Sequence, residues 1–539
     1  MQPRPQNLAY ILEHAARVHG GREVVSATVE GGLHRYSYRD ALGRTKQLAN
    51  ALRRLGLAPG DRVATLAWNG YRHLEAWYAI AGQGAICHTV NPRLFPEQIA
   101  YILNHAADRF VLVDLNLLPV LERVRAQVPS IEAVVVMTDR AHMPDGAGLL
   151  CYEELLAAEP ADFAWPELPE ATPSSLCYTS GTTGNPKGVL YTHRSNLLMA
   201  YACNGAEGFA LSALSTVLMV VPMFHANSWG LVYCAPMAGA KLVLPGPHLG
   251  GRSLHGLITG EQATFSAAVP TIWTQLLQHL EATGGTLPSL QEVVIGGSAV
   301  PAAMIRTFAE RYGVAVRHAW GMTELSPIGT VNRPTPEVLA LDPEAQLAVA
   351  AKQGRPPYGV EMRIADEAGR TLASDGRTQG RLLVRGPWTV DRYYREENSA
   401  CDADGWFDTG DIATLDPLGY MQITDRAKDV IKSGGEWISS VELENTAMGH
   451  PAVALAACIG LPHPRWDERP LLVVQLREGA EPCGDALIGH LAERVARWWL
   501  PDDVVFVEAI PLAATGKINK LALRQQFSGY VWAAVASRS

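Results

Sequence analysis

The stretch Tyr178-Thr-Ser-Gly-Thr-Thr-Gly-Asn-Pro-Lys-Gly188 carries the densest chemistry in the chain. Gly181 and Gly184 permit backbone conformations that turn consecutive N–H groups into one concavity, and the hydroxyls of Thr179, Ser180, Thr182 and Thr183 add donors around it. Lys187 brings a compact positive charge suited to a phosphate. Strand-like runs at Ser175–Thr179 and Val189–Thr192 flank the string, which reads as strand, loop, strand. It is not a Walker A loop, because Gly188 follows Lys187 where Ser or Thr would stand and no phosphate-receiving helix opens directly behind it. A Ser/Thr/Gly cluster alone is more often a surface turn; the complete eleven-residue string reverses that weighting.

Four further motifs follow in order. Trp320-Gly-Met-Thr-Glu324 offers a flat aromatic for stacking and a carboxylate, a hard oxygen ligand suited to Mg2+. Asp408-Thr-Gly-Asp411 ends in a carboxylate able to accept two O–H bonds at once. Asp425-Arg-Ala-Lys-Asp-Val-Ile-Lys-Ser-Gly-Gly-Glu-Trp437 is a charged segment that alone would be a solvated connection, and Pro511-Leu-Ala-Ala-Thr-Gly-Lys517-Ile-Asn-Lys520 lies near the end. Gly296-Gly-Ser-Ala-Val-Pro301 adds a strand-to-helix turn with Pro301 near the first helical turn.

Together these motifs resemble those of the adenylate-forming superfamily of acyl-CoA synthetases, peptide-synthetase adenylation domains and firefly luciferase. The resemblance implies that Thr179, Ser180, Gly181, Thr182, Thr183, Gly184 and Lys187 cradle ATP phosphates, with Thr179 and Glu324 on Mg2+. It implies further that Gly297, Ser298, Ala299, His318, Ala319, Trp320, Gly321 and Met322 frame the nucleotide, Trp320 stacking on adenine where the family usually has Tyr. Thr323 would donate to the α-phosphate, Asp411 would take both ribose hydroxyls, and Arg426 would contact ribose. Lys517 would orient the substrate carboxylate and offset charge at phosphorus, with Lys187, Thr323 and Glu324 completing the catalytic set.

Pro222-Met-Phe-His-Ala-Asn-Ser-Trp229-Gly resembles the acyl-tunnel segment of bacterial medium- and long-chain fatty acyl-CoA synthetases. That implies an acyl pocket of His225, Trp229, Gly296, Gly297 and Trp320, with Trp229 as the gate. Lys428 would be a hinge, and Lys432, Ser433, Gly434, Gly435, Glu436 and Trp437 would form a loop beside the pantetheine of CoA. The expected reaction is acyl-AMP formation with pyrophosphate release, then transfer to CoA, on a medium- or long-chain fatty acid. Ligases for 3-(methylthio)propionate or other short acids are the alternative; a luciferase-like oxygenase and an inactive nucleotide-binding homologue rank lower. ATP, Mg2+ and CoA are the implied cofactors and substrates, and a homodimer through the N-terminal region is implied as well.

The elements that must position these residues follow from pattern. Apolar spacing predicts helices over Leu8–Val18 and Tyr38–Leu55, the latter capped by Ser37, and over His73–Gly82. Strands are expected at Asp61–Trp68, Phe110–Asp114, Ala133–Met137, Val217–Val221, Lys241–Leu244, Val293–Ile295 and Val314–His318. The expected fold is a multidomain α/β chain: residues 1–424 with two α/β layered subdomains plus a small β-barrel or meander, a hinge at 425–428, and a small mobile α+β domain at 429–539. Helices are expected there near Val441–Met448 and Gly484–Trp498.

Composition bounds the rest. With 539 residues, 48% hydrophobic and 18% charged, the chain can bury several cores and is not disordered. A net charge of −9 without a basic run gives little drive toward nucleic-acid phosphates. Eight scattered cysteines lack zinc-ligand spacing and read as buried thiols in a reducing compartment. No leader-like apolar segment or long apolar run appears, so the expected location is the cytosol.

Overall fold

The computed structural model of the chain describes residues 2, 4–146, 148–179, 185–433, 436–463, 465–512 and 518–532, the side chains of residues 436 and 437 excepted. Two layered α/β units build the large lobe. The first has a seven-stranded sheet ordered Leu149–Cys151, Ala133–Met137, Phe110–Asp114, Arg62–Leu66, Ile86–Thr89, Pro173–Tyr178, Gly188–Thr192. All its pairs are parallel except the last, where the phosphate-loop strands run antiparallel. The second sheet has eight strands, ordered Ile328–Val331, Ala315–Gly321, Glu292–Gly296, Phe265–Ala268, Thr216–Leu218, Lys241–Leu244, Glu23–Ala27, Leu33–Ser37. Its interior is parallel, as buried, Val/Ile/Leu-rich strands without alternation require.

Helices cover these sheets where the spacing placed them. Ser37 caps the helix Tyr38–Arg54 in a full capping box with Asp40. The helix Tyr71–Gly82 is buried on every face, because it lies between the two sheets. Its Trp77 donates to the Tyr233 hydroxyl at 3.0 Å and its Tyr78 to the Val232 carbonyl at 2.7 Å, so one core runs through both units. Asn69 extends that bridge, donating to the carbonyls of Met219 (2.6 Å) and Val221 (2.8 Å) and accepting from the Met223 amide (2.7 Å). It thereby fixes the start of the segment that bears His225 and Trp229.

The region expected to be a small barrel or meander is a meander. Glu361–Ala365, Gly380–Arg385, Phe407–Leu415 and Met421–Arg426 pair in chain order as an open antiparallel sheet. Closure is unnecessary, because Ile364, Leu382, Val384, Ala413 and Leu415 are covered by Tyr191 and Trp320 of the two large sheets. Beyond it lies an α+β lobe. Its sheet contains Ile431–Ser433, Glu436–Ile438, Val453–His463, Asp467–Leu476 and Asp503–Phe506, with helices Ser440–Met448, Gly484–Ala492 and Lys520–Gln526. The helix expected to reach Trp498 stops at Ala492; Pro501 disfavours helical backbone just before it, and the chain turns through Arg497–Trp499.

All eight cysteines are free thiols, but not all are buried as expected: Cys401 is half-buried and Cys483, at the end of a turn before a short helix, is exposed. Among the described residues no helix is long and apolar enough to cross a membrane.

Candidate functional site

The phosphate-loop strands carry their loop at the C-terminal end of a parallel sheet, the usual ligand edge of open α/β sheets. Thr179 closes the neck: its amide donates to the Lys187 carbonyl at 2.9 Å and its hydroxyl accepts from the Lys187 amide at 3.2 Å. Ser180, Gly181, Thr182, Thr183 and Gly184 lie outside the described residues. The Lys187 ammonium stands 4.7 Å from the ring centroid of Tyr393, whose hydroxyl donates to Glu324 Oε1 at 2.8 Å. Tyr191, on the second loop strand, donates to the Thr323 carbonyl at 2.7 Å, and the Val390 amide donates to the Glu324 carbonyl at 2.7 Å. Lys187 is thus brought beside Thr323 and Glu324 from a separate motif. Burial pushes the Glu324 carboxyl above the usual glutamate range, while Tyr393, Arg426 and Lys187 partly restrain that shift. Tyr393 and Tyr191 were not singled out by sequence; the aromatic residues Trp388, Tyr393 and Tyr394, close together in the chain, were the available signal for the first.

The side expected to take the nucleotide is built on the strand Ala315–Gly321. Trp320 is buried, and its indole N–H donates to Asp411 Oδ2 at 3.2 Å. Asp411 also pairs through Oδ1 with Arg426 Nε at 2.9 Å, so the carboxylate expected to take ribose sits between Trp320 and Arg426. His318 is buried with Nδ1 2.8 Å from the Ala351 carbonyl; burial pushes it down to about 4, against backbone hydrogen bonds to Ala351 and Ser298, so it is a neutral imidazole near pH 7. Gly321 and Met322 turn the chain out of the strand, with the Met322 amide donating to the Pro327 carbonyl at 2.9 Å.

Gly329 makes room for Trp320. A Cβ there would lie 2.3 Å from Trp320 Cζ3 and 2.4 Å from Cε3. Gly329→Ala is expected to tilt the indole away from Asp411, lower stability by about 1–3 kcal/mol, and raise the KM for ATP more than it lowers kcat. Melting curves and an ATP titration check this; an unchanged KM would show that the ring's seat does not shape the nucleotide site.

The turn after strand Glu292–Gly296 meets the segment carrying Trp229. A Cβ on Gly296 would fall 2.5 Å from the Ala319 carbonyl and 3.3 Å from Trp229 Cη2, and Gly297, at φ +82°, lies beside Trp229 Cζ2. Ala319 therefore closes the floor of this turn, and Ser298 and Ala299 continue it toward the helix Ala302–Tyr312. Trp229 ends a buried left-handed turn in which Ala226, Asn227, Ser228 and Trp229 have φ of 43°, 56°, 52° and 52°. Such backbone costs about 1–3 kcal/mol per residue and persists only where neighbours fix it. Here Asn227 donates to Asn196 Oδ1 (3.0 Å), Ser228 to the Val221 carbonyl (2.6 Å), and the Ala226 amide to Cys177 Sγ (3.4 Å). His225 lines a narrow cleft with Thr179, Tyr178 and Phe224. Of the expected acyl residues, His225 thus shares a cleft with Thr179 at the neck of the phosphate loop.

Residues 12–394 match the family of AMP-binding enzymes, and residues 442–517 match the AMP-binding enzyme C-terminal domain. The chain belongs to the AMP-binding enzyme family. It is 51% identical over 529 residues to the 3-methylmercaptopropionyl-CoA ligase of Ruegeria pomeroyi, with 98% of each chain covered. It is 49% identical over 522 residues to the medium-chain-fatty-acid–CoA ligase of Ectopseudomonas oleovorans, covering 96% of this chain and 95% of that one. Among solved structures it superposes on the anthranilate CoA ligase AuaEII in complex with anthranoyl-AMP with a TM-score of 0.88 at 27% identity, covering 98% and 99% of the two chains.

The remaining predicted residues of this AMP-binding enzyme lie toward the small lobe. Lys428 is exposed in the turn between strands Met421–Arg426 and Ile431–Ser433, and burial of part of its stem lowers its ammonium below the ordinary lysine range. The segment Lys432–Trp437, expected as a loop, is a hairpin: Lys432 pairs with Trp437 and Ser433 with Glu436. Gly434 and Gly435 at its tip lie outside the described residues. Strand pairing wins because the Lys432 amide donates to Glu468 at 3.0 Å and Ser433 Oγ accepts from Arg469 at 3.2 Å, holding the hairpin to the small-lobe sheet. Lys517 also lies outside the described residues; the flanking Leu512 and Ile518 pair antiparallel.

Proposed function

We propose that this AMP-binding enzyme activates a slender, unbranched carboxylic acid of short to medium length, through an acyl-AMP, and transfers the acyl group to CoA. AMP-forming acid–thiol ligase chemistry is the activity of the relatives named above, and the assembly of Lys187, Thr323, Glu324, Trp320 and Asp411 on one rim supports it here. The packing behind Trp229 carries the choice of acid. Gly230 follows the gate residue, and even a Cβ there would lie 2.8 Å from Met199 Sδ and 3.8 Å from Cys234 Sγ. Met199, Cys203 and Cys234 are all fully or almost fully buried, so this wall is close-packed and bounds the acyl side.

In the first step the substrate carboxylate attacks the α-phosphorus of ATP and pyrophosphate leaves. Lys187 neutralises phosphate charge, the Thr323 hydroxyl donates to the α-phosphate, and Asp411 with Trp320 holds the nucleoside. Lys517 draws the carboxylate and the α-phosphate together. In the second step a CoA thiolate attacks the acyl carbonyl; the thioester bond forms and AMP departs with the electrons of the acyl–phosphate bond. Neither step needs a covalent serine or cysteine.

The donor set fits Mg2+: a buried carboxylate on Glu324 and the Thr179 hydroxyl are hard oxygen ligands, and among the described residues no cluster of three His, Cys, Asp or Glu competes with phosphates and water for the remaining positions. Bound there, the ion would neutralise charge on the phosphate oxygens. Free thiols throughout agree with a cytosolic setting. A homodimer through the N-terminal region is the assembly we favour.

The deciding experiment is a pyrophosphate-release screen over straight-chain acids from acetate to stearate, with 3-(methylthio)propionate included. The expected optimum falls among short and medium acids and the methylthio acid. A maximum at sixteen or eighteen carbons would overturn the acid assignment, and no acid-dependent pyrophosphate release would overturn the activity.

A further inference from the structure

Asp425 belongs to the large lobe through its backbone but to the small lobe through its side chain. Its strand pairs with Phe407–Leu415, Asp425 opposite Ile412 and Arg426 opposite Asp411. Its carboxylate, fully buried, reaches across: Oδ2 accepts from the Ser440 amide at 2.6 Å and from the Ser440 hydroxyl at 2.7 Å, while Oδ1 accepts from the Arg426 amide at 2.7 Å. Ser440 opens the small-lobe helix Ser440–Met448. The Ser440 hydroxyl in turn accepts from Lys520 Nζ at 2.6 Å, and Lys520 pairs with Glu444 Oε1 at 2.8 Å. Glu444 is itself tied down, accepting from the Cys458 amide at 2.8 Å. Ser439 adds a short hydrogen bond to the Thr424 carbonyl.

The position of Lys428 gives this cluster its meaning. With the pivot at Lys428, Asp425 and Arg426 stay with the large lobe, and Ser440, Glu444 and Lys520 turn with the small one. Rotation must pull Ser440 off Asp425 and expose a buried carboxylate and a buried ammonium that now satisfy each other's surroundings. By contrast the Arg524–Asp429 pair, at 2.7 Å, lies wholly beyond the pivot and travels intact. Of these two clusters, the first is the one that a rotation at Lys428 must break.

We infer that Asp425, Ser440 and Lys520 form a latch that holds the small lobe in the orientation described above, which makes Lys520 a positioning residue for the half-reaction run in that orientation. The inference rests on the two-step reading under Proposed function and on the pivot at Lys428.

Three variants test the latch: Lys520→Met, which removes the ammonium; Ser440→Ala, which keeps the Lys520–Glu444 pair; and Lys520→Arg as the conservative rescue. Each is measured for acyl-AMP formation, for thioester formation from supplied acyl-AMP and CoA, and for small-angle X-ray scattering of the full chain. The latch requires the ratio of the two half-reaction rates to shift by about fivefold or more in Lys520→Met and Ser440→Ala, as a population change between orientations does, with a changed scattering profile and near-complete return in Lys520→Arg. Equal loss in both half-reactions, or no loss, with scattering unchanged overturns it. Should Lys520→Met fail to fold, Ser440→Ala decides. Should the wild-type chain release no pyrophosphate with any acid, the function reading falls, while the scattering comparison still decides the latch.

Discussion

Lys517→Ala is expected to reduce acyl-adenylate formation by on the order of a hundred- to a thousandfold, the usual loss for one preorganised electrostatic partner of a transition state, while leaving thioester formation from supplied acyl-AMP largely intact. The asymmetry follows from the charges. In the first step an anionic carboxylate must approach an anionic phosphate, and a pentavalent phosphorus gathers more negative charge, so a single ammonium between them acts on both ends of the forming bond. In the second step the acyl carbonyl is already activated and AMP is the leaving group, so that ammonium has no comparable task. The sequence places Lys517 two residues before Asn519, whose side chain caps the helix Lys520–Gln526. Pyrophosphate exchange and single-turnover thioester formation, measured side by side, check it. Equal loss in both would remove Lys517 from the first step and return it to a structural role.

What the sequence reveals and what it hides divide along a physical line. The strands Phe110–Asp114, Ala133–Met137 and Lys241–Leu244 have the predicted bounds, and Ser37 caps its helix, because local propensity and an apolar run fully determine them. The identities of Lys187, Thr323, Glu324 and Asp411 were legible from motifs whose order survives folding. What joins them was not. Tyr393 and Glu324 are 69 positions apart and meet only because the meander folds against the edge of the eight-stranded sheet. Gly329 reads as an unremarkable strand glycine until Trp320 is seen lying on it. The left-handed turn at Ala226–Trp229 runs against the local preferences of Ala226, Ser228 and Trp229, and hydrogen bonds to Asn196, Val221 and Cys177 hold it there. The Lys432–Trp437 hairpin was hidden likewise, its pairing being decided by Glu468 and Arg469 across the lobe.

Glu324→Gln should lower acyl-adenylate formation by about a hundredfold or more without lowering the melting temperature at neutral pH. Burial raises the Glu324 pKa in the folded chain, so the folded state binds the proton more tightly than the unfolded one. Stability contributed by this group is therefore full at low pH and is lost as the pH rises through the raised pKa; glutamine, which never ionises, does not bear that loss. Activity runs the opposite way, because a carboxyl group holds a cation in its ionised, carboxylate form. The acid limb of the pH–rate profile is expected above the range of an exposed glutamate, and Glu324→Gln should erase that limb along with the rate. Tyr393→Phe supplies the internal check. The Tyr393 hydroxyl donates to Glu324 Oε1 at 2.8 Å and favours the carboxylate form, so its removal should move the acid limb further up in pH while sparing much of the rate on the alkaline plateau. A limb that stays in place in Tyr393→Phe would mean that a group other than Glu324 titrates there. A limb that moves down would reverse the assigned sign of the tyrosine's effect, and with it the claim that this carboxylate works in its ionised form.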